Sequence, residues 1–572
     1  MAPLRLGAQP GARAPHPRRC RVLFLAPLLA AGCGDGEPGT APPGAPVPTT
    51  LAITPSSAVL AALGQTVQLT ATVRDQTGAV MPGIGVNWAS TDGRIVTVDP
   101  AGLVTAVSNG ATNITATVQG GGASGGAAIT VSQAVTALTV SPDQAAVDAL
   151  ETLQLTAQAL DANQHPVAGV GFSWHSDDES VATVSADGLV TAVAPGSVVI
   201  SVQVSSAALT ATARIVVKVS ERFALVALYN ATGGSRWTRS GNWLTDAPTD
   251  QWHGVTADAE GRVTGLDLSG IGLEGRLPEE FAHLTNLRRL NLSYNRLTGE
   301  IPAYLAEFTE LEELGLAVNE FTGPIPVELS GLTRLRVLDL SNDLFAGRNR
   351  LTGPVPPELA QLSDLEVLDL AFNTLTGQIP SGLAGLRNLT VLDIEQNDLS
   401  GPIPPDLATL SGLVVLSLAG NRLTGAIPSA LGDLSNLGDL KLHMNQLSGP
   451  IPSSLGKLGR LARLSLCCNA FTGSIPPELG NLSSVAFLGL QVNELSGSVP
   501  SELGRLSALR HLYLFTNSDL RGPLPQELTS LRLTTFDWIF TGLCSPPNAE
   551  FQNWLGSIPR GQGEGVCPSS EP

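Results

Sequence analysis

Aromatic side chains are scarce in this sequence of 572 residues, and basic side chains are outnumbered by acidic ones. Phe, Trp and Tyr make up 4% of the chain, whereas Gly (61) and Pro (41) are abundant, which favours turn-rich β structure or short repeats over a helical bundle. Lys and Arg number 32 against 50 Asp and Glu, for a formal net charge of −18. This acidity argues against nucleic acid as a partner, because phosphates require a basic footprint.

Long hydrophobic runs are also missing, and no segment is long enough to span a bilayer as a helix. Arginines at positions 18, 19 and 21 precede a short apolar run over residues 22–31, which indicates an export signal. The sequence Leu-Ala-Ala-Gly-Cys at residues 29–33 resembles the bacterial lipoprotein signal, whose cysteine is lipidated and becomes the new amino terminus. The resemblance implies a membrane anchor at Cys33, and secretion without a lipid is the alternative.

Residues 51–219 contain two copies of one segment, so they are expected to form tandem domains. Matching residues 86 positions apart are Leu69 and Leu155, Trp88 and Trp174, Val98 and Val184, Gly102 and Gly188, and Gly110 and Gly196. Apolar residues alternate with polar ones within each copy, which predicts an antiparallel β-sandwich with one buried face per sheet.

The segments at residues 95–107 and 181–193 resemble the bacterial immunoglobulin-like group 2 domain. The family places the Gly of this segment in a tight hairpin and a Trp in the core. Its members serve as stalks or spacers in surface proteins, so we expect a spacing role here, and direct ligand binding is the alternative.

From about Val263 onward one pattern repeats, L-x-x-L-x-L-x-x-N-x-L-[ST]-G-x-[IV]-P, with a period of 24 residues that lengthens to 30 before Asn349. Its Asn column is Asn295, Asn319, Asn349, Asn373, Asn397, Asn421, Asn445, Asn469, Asn493 and Asn517. A fixed period of this kind predicts a solenoid, in which the Leu side chains of neighbouring coils stack into one continuous core. The Asn amides are expected to turn inward and to satisfy buried backbone groups, while Pro is expected to break helices on the outer side.

The repeat resembles the plant-type leucine-rich repeat, which also occurs in bacterial surface proteins. The family implies a horseshoe with a concave parallel sheet and short strands and 3₁₀ turns opposite. The tryptophan-containing residues 220–262 resemble its amino-terminal cap without the usual cysteines, and residues 536–572 resemble a bacterial closing cap. Export into an oxidising space then makes Cys544 and Cys567 the pair expected to form a disulfide.

The expected fold is mainly β, with two Ig-like sandwiches followed by a leucine-rich-repeat solenoid. The expected segments are a signal peptide at 1–33, a Gly/Pro/Ala linker at 34–50, Ig-like domains at 51–132 and 135–219, an amino-terminal cap at 220–262, about 11 repeats at 263–535 and a closing cap at 536–572.

Residues that flank the strand leucines are expected to face the concave side. The candidate ligand contacts in the carboxyl-terminal coils are Asp439, Lys441, His443, Arg463, Phe487, Gln491, His511, Tyr513 and Phe515. Exposed aromatics beside charges are typical of binding hot spots, although Phe487 and Phe515 could instead pack against each other or the cap. An acidic strip of Asp339, Asp369, Asp393 and Glu395 is interpreted as solvated surface, with a ligand contact as the alternative.

A six-residue insertion, 342–347, suggests a partial duplication of the Asn turn, either a tolerated loop or a rim contact through Leu344 and Phe345. The sequence Gly-Ala-Ser-Gly-Gly at residues 122–126 matches the spacing of a nucleophile elbow, but it is expected in a hairpin of a sandwich and not between a strand and a helix. No Walker-type loop or H-E-x-x-H helix occurs. The adjacent Cys467 and Cys468 are interpreted as small filler residues, with vicinal redox or metal chemistry as the alternative. We therefore expect no enzyme activity and no cofactor.

The sequence predicts a bacterial cell-surface or outer-membrane lipoprotein, or a secreted protein, that binds a protein, peptide or glycan ligand on the concave face. A structural role in the envelope, through self-association, is the first alternative. Scaffolding or inhibition of a partner enzyme is the second.

Overall fold

The computed structural model describes residues 44–343, 349–563 and 565–568. The predicted lipidation site Cys33 and the insertion residues Leu344 and Phe345 lie outside the described residues. Two compact units make up the chain, one containing the first sandwich and the other containing most of the second sandwich with the repeat array.

The first sandwich has a four-stranded sheet in the order β2-β9-β8-β5, a three-stranded sheet β3-β7-β6 and the pair β1-β4. Its strands are β1 (Pro48–Thr54), β2 (Ser57–Leu60), β3 (Thr66–Gln68), β4 (Thr70–Asp75), β5 (Val86–Ser90), β6 (Val96–Val98), β7 (Leu103–Ala106), β8 (Gly110–Val118) and β9 (Ser124–Val131). Burial alternates along β8 and β9, as the sequence pattern predicted. Pairing is not wholly antiparallel, however, because β2 runs parallel to β9.

The second sandwich repeats this arrangement, with sheets β11-β18-β17-β14 and β12-β16-β15 and the pair β10-β13. Its strands are β10 (Ala137–Ser141), β11 (Gln144–Asp148), β12 (Thr152–Gln154), β13 (Thr156–Leu160), β14 (Phe172–Ser176), β15 (Ala182–Val184), β16 (Leu189–Ala192), β17 (Gly196–Val204) and β18 (Thr210–Lys218). Gly188 has a φ of +80°, and a Cβ there would lie 2.8 Å from the ring of Trp174. This glycine is therefore required both by the hairpin and by the tryptophan packed on it.

The repeat region has helix α1 (Glu221–Ala231) at its amino-terminal end and helix α2 (Ala549–Gly556) near its carboxyl-terminal end. Its strands are β19 (Val255–Ala257), β20 (Val263–Asp267), β21 (Glu274–Gly275), β22 (Arg289–Asn291), β23 (Arg296–Glu300), β24 (Glu313–Gly315), β25 (Glu320–Pro324), β26 (Val337–Asp339), β27 (Arg350–Thr352), β28 (Val367–Asp369), β29 (Val391–Asp393), β30 (Ser400–Gly401), β31 (Val415–Ser417), β32 (Arg422–Gly425), β33 (Asp439–Lys441), β34 (Gln446–Pro450), β35 (Arg463–Ser465), β36 (Ala470–Gly473), β37 (Phe487–Gly489), β38 (Glu494–Gly497), β39 (His511–Tyr513), β40 (Asn517–Pro523), β41 (Thr535–Asp537), β42 (Thr541–Cys544) and β43 (Arg560–Gln562).

A sheet of 14 strands, here called the long sheet, runs β19-β20-β22-β24-β26-β28-β29-β31-β33-β35-β37-β39-β41-β43 and corresponds to the predicted concave sheet. Strands on another side of the coils form two smaller sheets, β21-β23-β25-β27 and β30-β32-β34-β36-β38-β40-β42. All neighbours in the long sheet pair in parallel from β20 onward, in register at equivalent repeat positions.

Short 3₁₀ helices connect the strands and complete each coil. They are Gly234–Arg236, Thr249–Gln251, Glu279–His283, Ala303–Glu307, Val327–Gly331, Pro357–Gln361, Ser381–Gly385, Pro405–Thr409, Ser429–Asp433, Ser453–Lys457, Pro477–Asn481, Ser501–Arg505 and Gln526–Ser530. The repeat prolines were expected to break helices on the outer side, and within the described coils only short 3₁₀ helices follow them. Each one, such as Pro380, lies immediately before a 3₁₀ helix in an extended conformation, where its missing N–H costs no hydrogen bond.

The repeat core is continuous from Ala224 in α1 to Ile558 beyond α2. Its leucines are fully buried, each contributing on the order of 1.5–3 kcal/mol to stability. At the amino-terminal end Trp237, Trp243 and Trp252 pack in a chain, with neighbouring ring centroids 4.9 Å apart. Each indole N–H donates to a backbone carbonyl, so tryptophan packing replaces the cysteines of other caps.

The carboxyl-terminal cap joins Cys544 and Cys567 in a disulfide. Helix α2 begins at the N-cap Asn548, whose side chain accepts a hydrogen bond from the Phe551 amide. Phe551 and Trp554 pack edge to face, with ring centroids 5.1 Å apart, and cover the last coil. The cap thereby shields leucines that no further repeat would cover.

Each repeat asparagine joins two consecutive coils, as Asn397 illustrates. Its Oδ1 accepts from the Leu375 amide of the preceding coil at 3.0 Å. Its Nδ2 lies 3.1 Å from the Leu370 carbonyl oxygen, and about as near the carbonyl oxygens of Ile394 and Glu395 in its own coil. Because the side chain is only 7% exposed, these bonds satisfy backbone groups that water cannot reach.

The insertion keeps this ladder intact by using a second asparagine. Asn349 holds the regular place, since its Oδ1 accepts from the Phe321 amide at 2.9 Å. Asn342 makes a new bridge, donating to the carbonyls of Asn349 and Phe372 and accepting from the Asn349 amide. The described residues on either side of the insertion, Asn342 and Asn349, are therefore bonded to each other and to the neighbouring coils.

We predict that Asn397→Ala lowers the free energy of unfolding by about 2–4 kcal/mol, because buried backbone donors and acceptors in two coils lose their hydrogen-bond partner. The control Asn388→Ala removes one exposed bond to the Ser363 carbonyl and should cost less than about 0.5 kcal/mol. Urea unfolding followed by tryptophan fluorescence measures both values. Equal losses in the two variants would refute the inter-coil role of Asn397.

Candidate functional site

Parallel pairing of the long sheet brings the predicted ligand contacts together. Asp439, Arg463, Phe487 and His511 are cross-strand partners on β33, β35, β37 and β39. Neighbouring strands lie about 4.8 Å apart, so these four side chains form one row across four coils. A second row contains Lys441 and Tyr513.

A depression of about 690 Å³ lies beside the first row. Its lining residues are Val414, Val415, Gly438, Asp439, Ala462, Arg463, Ala486, Phe487, His511 and Tyr513. Five of the nine predicted contacts therefore line one depression, whereas Lys441, His443, Gln491 and Phe515 are not among its lining residues.

The floor of the depression was missed by sequence analysis. Val414, Gly438, Ala462 and Ala486 precede their strands at equivalent positions, which in other coils carry larger polar residues such as Glu366. A run of small residues at the 24-residue period was the available signal, but the repeat pattern treats that position as unspecified.

Arg463 and Asp439 form the charged wall of the depression. The Arg463 Nε lies 3.8 Å from Asp439 Oδ2, and its guanidinium carbon lies 4.6 Å from the centre of the Phe487 ring. Gly489 makes room for that ring, because a Cβ at residue 489 would lie 2.9 Å from it. The arginine is thus held by an ion pair and a cation–π contact while about half of its side chain stays exposed.

Tyr513 lies at the centre of an aromatic group. Its ring centroid is 5.5 Å from that of Phe487 and 6.4 Å from that of Phe515. His511 lies 6.2 Å from Phe487, and its Nδ1 is 3.2 Å from the Thr535 hydroxyl. All four rings are only half-buried, so the two phenylalanines pack around Tyr513 and still present surface to a ligand.

Two side-chain oxygens on this face are buried without a hydrogen-bond partner among the described residues, Asp439 Oδ1 and Gln491 Oε1. Burial raises the pKa of Asp439, while Lys441 and Arg463 oppose that rise. Both orphaned atoms are acceptors, and buried acceptors are normally paired. The face therefore has unused capacity for a hydrogen-bond donor.

Lys441 and His443 have internal partners. Lys441 Nζ lies 3.4 Å from Glu395 Oε2, an oxygen that also accepts from the Ser417 hydroxyl. His443 Nδ1 lies 3.2 Å from the Ser465 hydroxyl, and burial lowers the pKa of His443. The polar groups of these two residues are therefore already engaged with other residues of the sheet surface.

The acidic strip was interpreted as solvated surface, and the structure corrects this, since Asp339, Asp369 and Asp393 are half-buried. The Asp369 Oδ1 accepts from the Ala371 amide, two residues onward, in the manner of an Asx turn. Burial, reinforced by neighbouring carboxylates, raises the pKa of Asp369 to about 7. Burial also raises the pKa of Asp393 to about 6, with Glu395 adding to the effect.

Potential metal ligands and the adjacent cysteines lie as follows within the described ranges. No group of three or more His, Cys, Asp or Glu residues there could hold a metal ion. Cys467 is buried, which raises the pKa of its thiol to about 12, and the neighbouring Cys468 adds to this rise. A thiol with such a pKa stays protonated and unreactive at neutral pH.

Across the described ranges, no helix has the length and apolarity needed to traverse a bilayer.

We predict that Asp369→Asn stabilises the protein at pH 8 by on the order of 2–4 kcal/mol and has little effect at pH 4. The raised pKa means that the folded chain favours protonated Asp369, a contribution present below the ordinary pKa of 3.8 and lost as the pH rises through about 7. Thermal unfolding between pH 4 and pH 8 measures the difference. The exposed Asp364→Asn is the control, and a pH-independent effect of Asp369→Asn would contradict the assignment.

Comparison with known protein families identifies both repeated regions. The family described as bacterial Ig-like domain (group 2) matches residues 48–131 and 134–215. The leucine-rich-repeat family matches residues 286–308, 364–386, 388–410, 412–434 and 460–482.

Solved structures similar to this chain include plant receptor ectodomains. That of the membrane receptor kinase GASSHO1/SCHENGEN3 from Arabidopsis thaliana, in complex with CASPARIAN STRIP INTEGRITY FACTOR 2, is 31% identical with a TM-score of 0.50, covering 61% of this chain and 47% of the receptor chain. The Arabidopsis receptor kinase HAESA is 30% identical with a TM-score of 0.48, covering 60% of this chain and 59% of its own.

A curated relative, Ice-binding protein 1 of Shewanella frigidimarina, is 33% identical over 161 residues, which are 27% of this chain and 17% of the relative. The chain thus spans less than two thirds of the length of each of these three proteins. Taken with the fold, the family matches show that the chain carries two bacterial immunoglobulin-like group 2 domains followed by a leucine-rich-repeat solenoid.

Proposed function

We propose that this chain is a non-enzymatic binding protein whose repeat domain recognises a macromolecular ligand on the long sheet. The observation that carries the proposal is the depression beside Phe487, where an apolar floor meets a charged wall and half-exposed aromatic rings. Ligand sites in proteins typically combine apolar lining with a few convergent polar groups. Tyr and Arg, both present here, are the residue types most often found at the energetic centre of interfaces.

A protein or peptide is the ligand class best supported. The similar receptor ectodomain from Arabidopsis was solved in complex with a partner factor, which supports recognition of a macromolecule by this type of solenoid. The length of the long sheet supports the same class, because its 14 strands offer a surface much larger than a metabolite requires.

The Ig-like domains fit the role of a spacer outside the cell. Among described residues neither contains cysteine, so their stability comes from cores such as the one around Trp88 and Ile114. The proposed anchor for this spacer is Cys33, at which a lipid would hold the exported chain on a bacterial membrane.

We expect Phe487→Ala and Tyr513→Ala to weaken ligand binding at least tenfold, because each removes half-exposed aromatic surface from the site. Their melting temperatures should change by only a few degrees, since the solenoid core does not contain these rings. Labelled full-length protein on an array of surface proteins, peptides and glycans measures binding. Differential scanning calorimetry measures stability.

Val367→Ala is the matched control, because Val367 holds on β28 the repeat position that Phe487 holds on β37. Its binding should stay within twofold of wild type. Equal loss in all three variants would argue for a diffuse structural surface, such as one used in self-association, and against a localised binding site.

We further expect radiolabelled palmitate to label the wild type but not Cys33→Ser in bacteria expressing the full chain. The variant should leave the membrane fraction for the medium, because it lacks the nucleophilic thiol that carries the lipid. Protease applied to intact cells should remove the repeats of the wild type. An unlabelled wild-type protein free in the medium would exclude the anchor and favour secretion.

A further inference from the structure

The floor of the depression is short and its backbone is already hydrogen-bonded. The amide of Gly438 donates to the Val414 carbonyl, that of Ala462 to Gly438 and that of Ala486 to Ala462, each at 2.8 Å. A ligand therefore finds no free strand edge on this floor, and side chains must provide recognition. Four coils span about 14–19 Å, which matches four to six residues of extended peptide.

One carboxylate oxygen in the wall of the depression has no hydrogen-bond donor. Asp439 Oδ1 is buried and has no hydrogen-bond partner within the described part of the chain, and its other oxygen lies 3.8 Å from Arg463, beyond hydrogen-bond range. Gln491 Oε1, also unpartnered among the described residues, lies close to Gly489, the glycine over which the Phe487 ring leans. The nearby cations are engaged, Lys441 with Glu395 and Arg463 with Phe487.

We infer that the depression holds a short extended peptide segment in which a basic side chain donates to Asp439 and an adjacent apolar side chain packs on Ala462 and Ala486 beside Phe487. This inference rests on the proposed function and specifies its ligand. The Asp439 side chain is 27% exposed, so an amino or guanidinium group of a ligand can reach its carboxylate, and such charge-assisted bonds are the strong ones. The small floor residues leave the volume that the apolar side chain fills.

Electrostatics favour the same ligand over an acidic one. Asp393 and Glu395 lie in the coil next to the one that contributes Val415 to the depression, and the chain as a whole carries a formal charge of −18. A field of this sign concentrates basic segments near the sheet and repels acidic ones. On the lining of the depression an acidic peptide would meet Arg463 and His511, and it would leave Asp439 Oδ1 without a hydrogen bond.

The test is selection of random octapeptides, displayed on phage, against the immobilised full chain. Recovered peptides are synthesised, and their affinities are measured by fluorescence anisotropy together with those of analogues carrying Gln in place of the basic residue. We expect recovered sequences to place Lys or Arg beside an apolar residue. Asp439→Asn should weaken these peptides about tenfold and leave the Gln analogues within about twofold, as a specific charge-assisted bond requires.

A variant that fills the depression tests whether peptides bind there, independently of their charge. Gly438→Leu should weaken every recovered peptide at least tenfold, and the new side chain is tolerable because a Cβ at residue 438 meets only ordinary contacts, the nearest at 3.6 Å. Gly459→Leu is the control, since a Cβ there meets nothing within 4 Å and Gly459 does not line the depression. Melting temperatures of all variants verify that they fold.

The remaining outcomes refute either the basic ligand alone or the binding site as well. Acidic or uncharged consensus sequences, or equal loss of Lys and Gln peptides with Asp439→Asn, would refute the basic ligand while sensitivity to Gly438→Leu upholds the proposed site. Peptides insensitive to Gly438→Leu and to Phe487→Ala would refute both the inference and the proposed site.

Discussion

The inward-facing asparagine is the constraint on which the rest of the repeat domain depends. Asn397 bonds backbone groups of its own coil and of the coil before it, so it fixes the distance and the rotation between them. A leucine core alone is nondirectional and would tolerate small slips between coils. Hydrogen bonds from a buried amide do not tolerate them, because a slip leaves polar groups unpaired. The in-register long sheet follows from this repeated bridge, and the rows of side chains on its surface follow from the sheet.

Once the register is fixed, the chemistry of the sheet surface depends on which residues occupy a few rows of equivalent positions. Equivalent positions repeat at the strand spacing, so adjacent repeats place side chains in contact that are 24 residues apart in sequence. The same geometry creates the aromatic group around Tyr513 and the crowded carboxylates around Asp369. The same register therefore produces attraction between aromatic rings in one row and repulsion between carboxylates in another, depending on which residues occupy the row. The site is a local variation of side-chain size on a regular scaffold.

Much of this architecture could be predicted from the sequence because periodicity reports burial directly. The 24-residue period gave the solenoid, and the alternating patterns gave the two sandwiches. The positions of Arg463 and Phe487 on one face followed from the same count. The floor at Gly438 did not, because a small residue in an unspecified position becomes informative only when larger neighbours surround it. Half-burial of Asp369 was also missed, since a charged residue in a strand pattern is ordinarily solvated, whereas here its own Asx turn and the adjacent carboxylates enclose it. The second bridge at Asn342 depends on contacts made across the insertion, which no local pattern encodes.

The separation between core and surface explains how such a protein can acquire a binding site at little cost in stability. Leu464 and Leu488 are fully buried beneath the row that presents Arg463 and Phe487, and they hold the backbone whatever residues stand beside them. An orphaned acceptor such as Asp439 Oδ1 is a local penalty that a single domain core would feel strongly. In a solenoid each coil contacts only its neighbours, so a penalty in one coil is offset by many fully satisfied ones. An unpaired buried acceptor is thus tolerable here in the free protein, while the exposed part of the same carboxylate remains available to a complementary donor on a ligand.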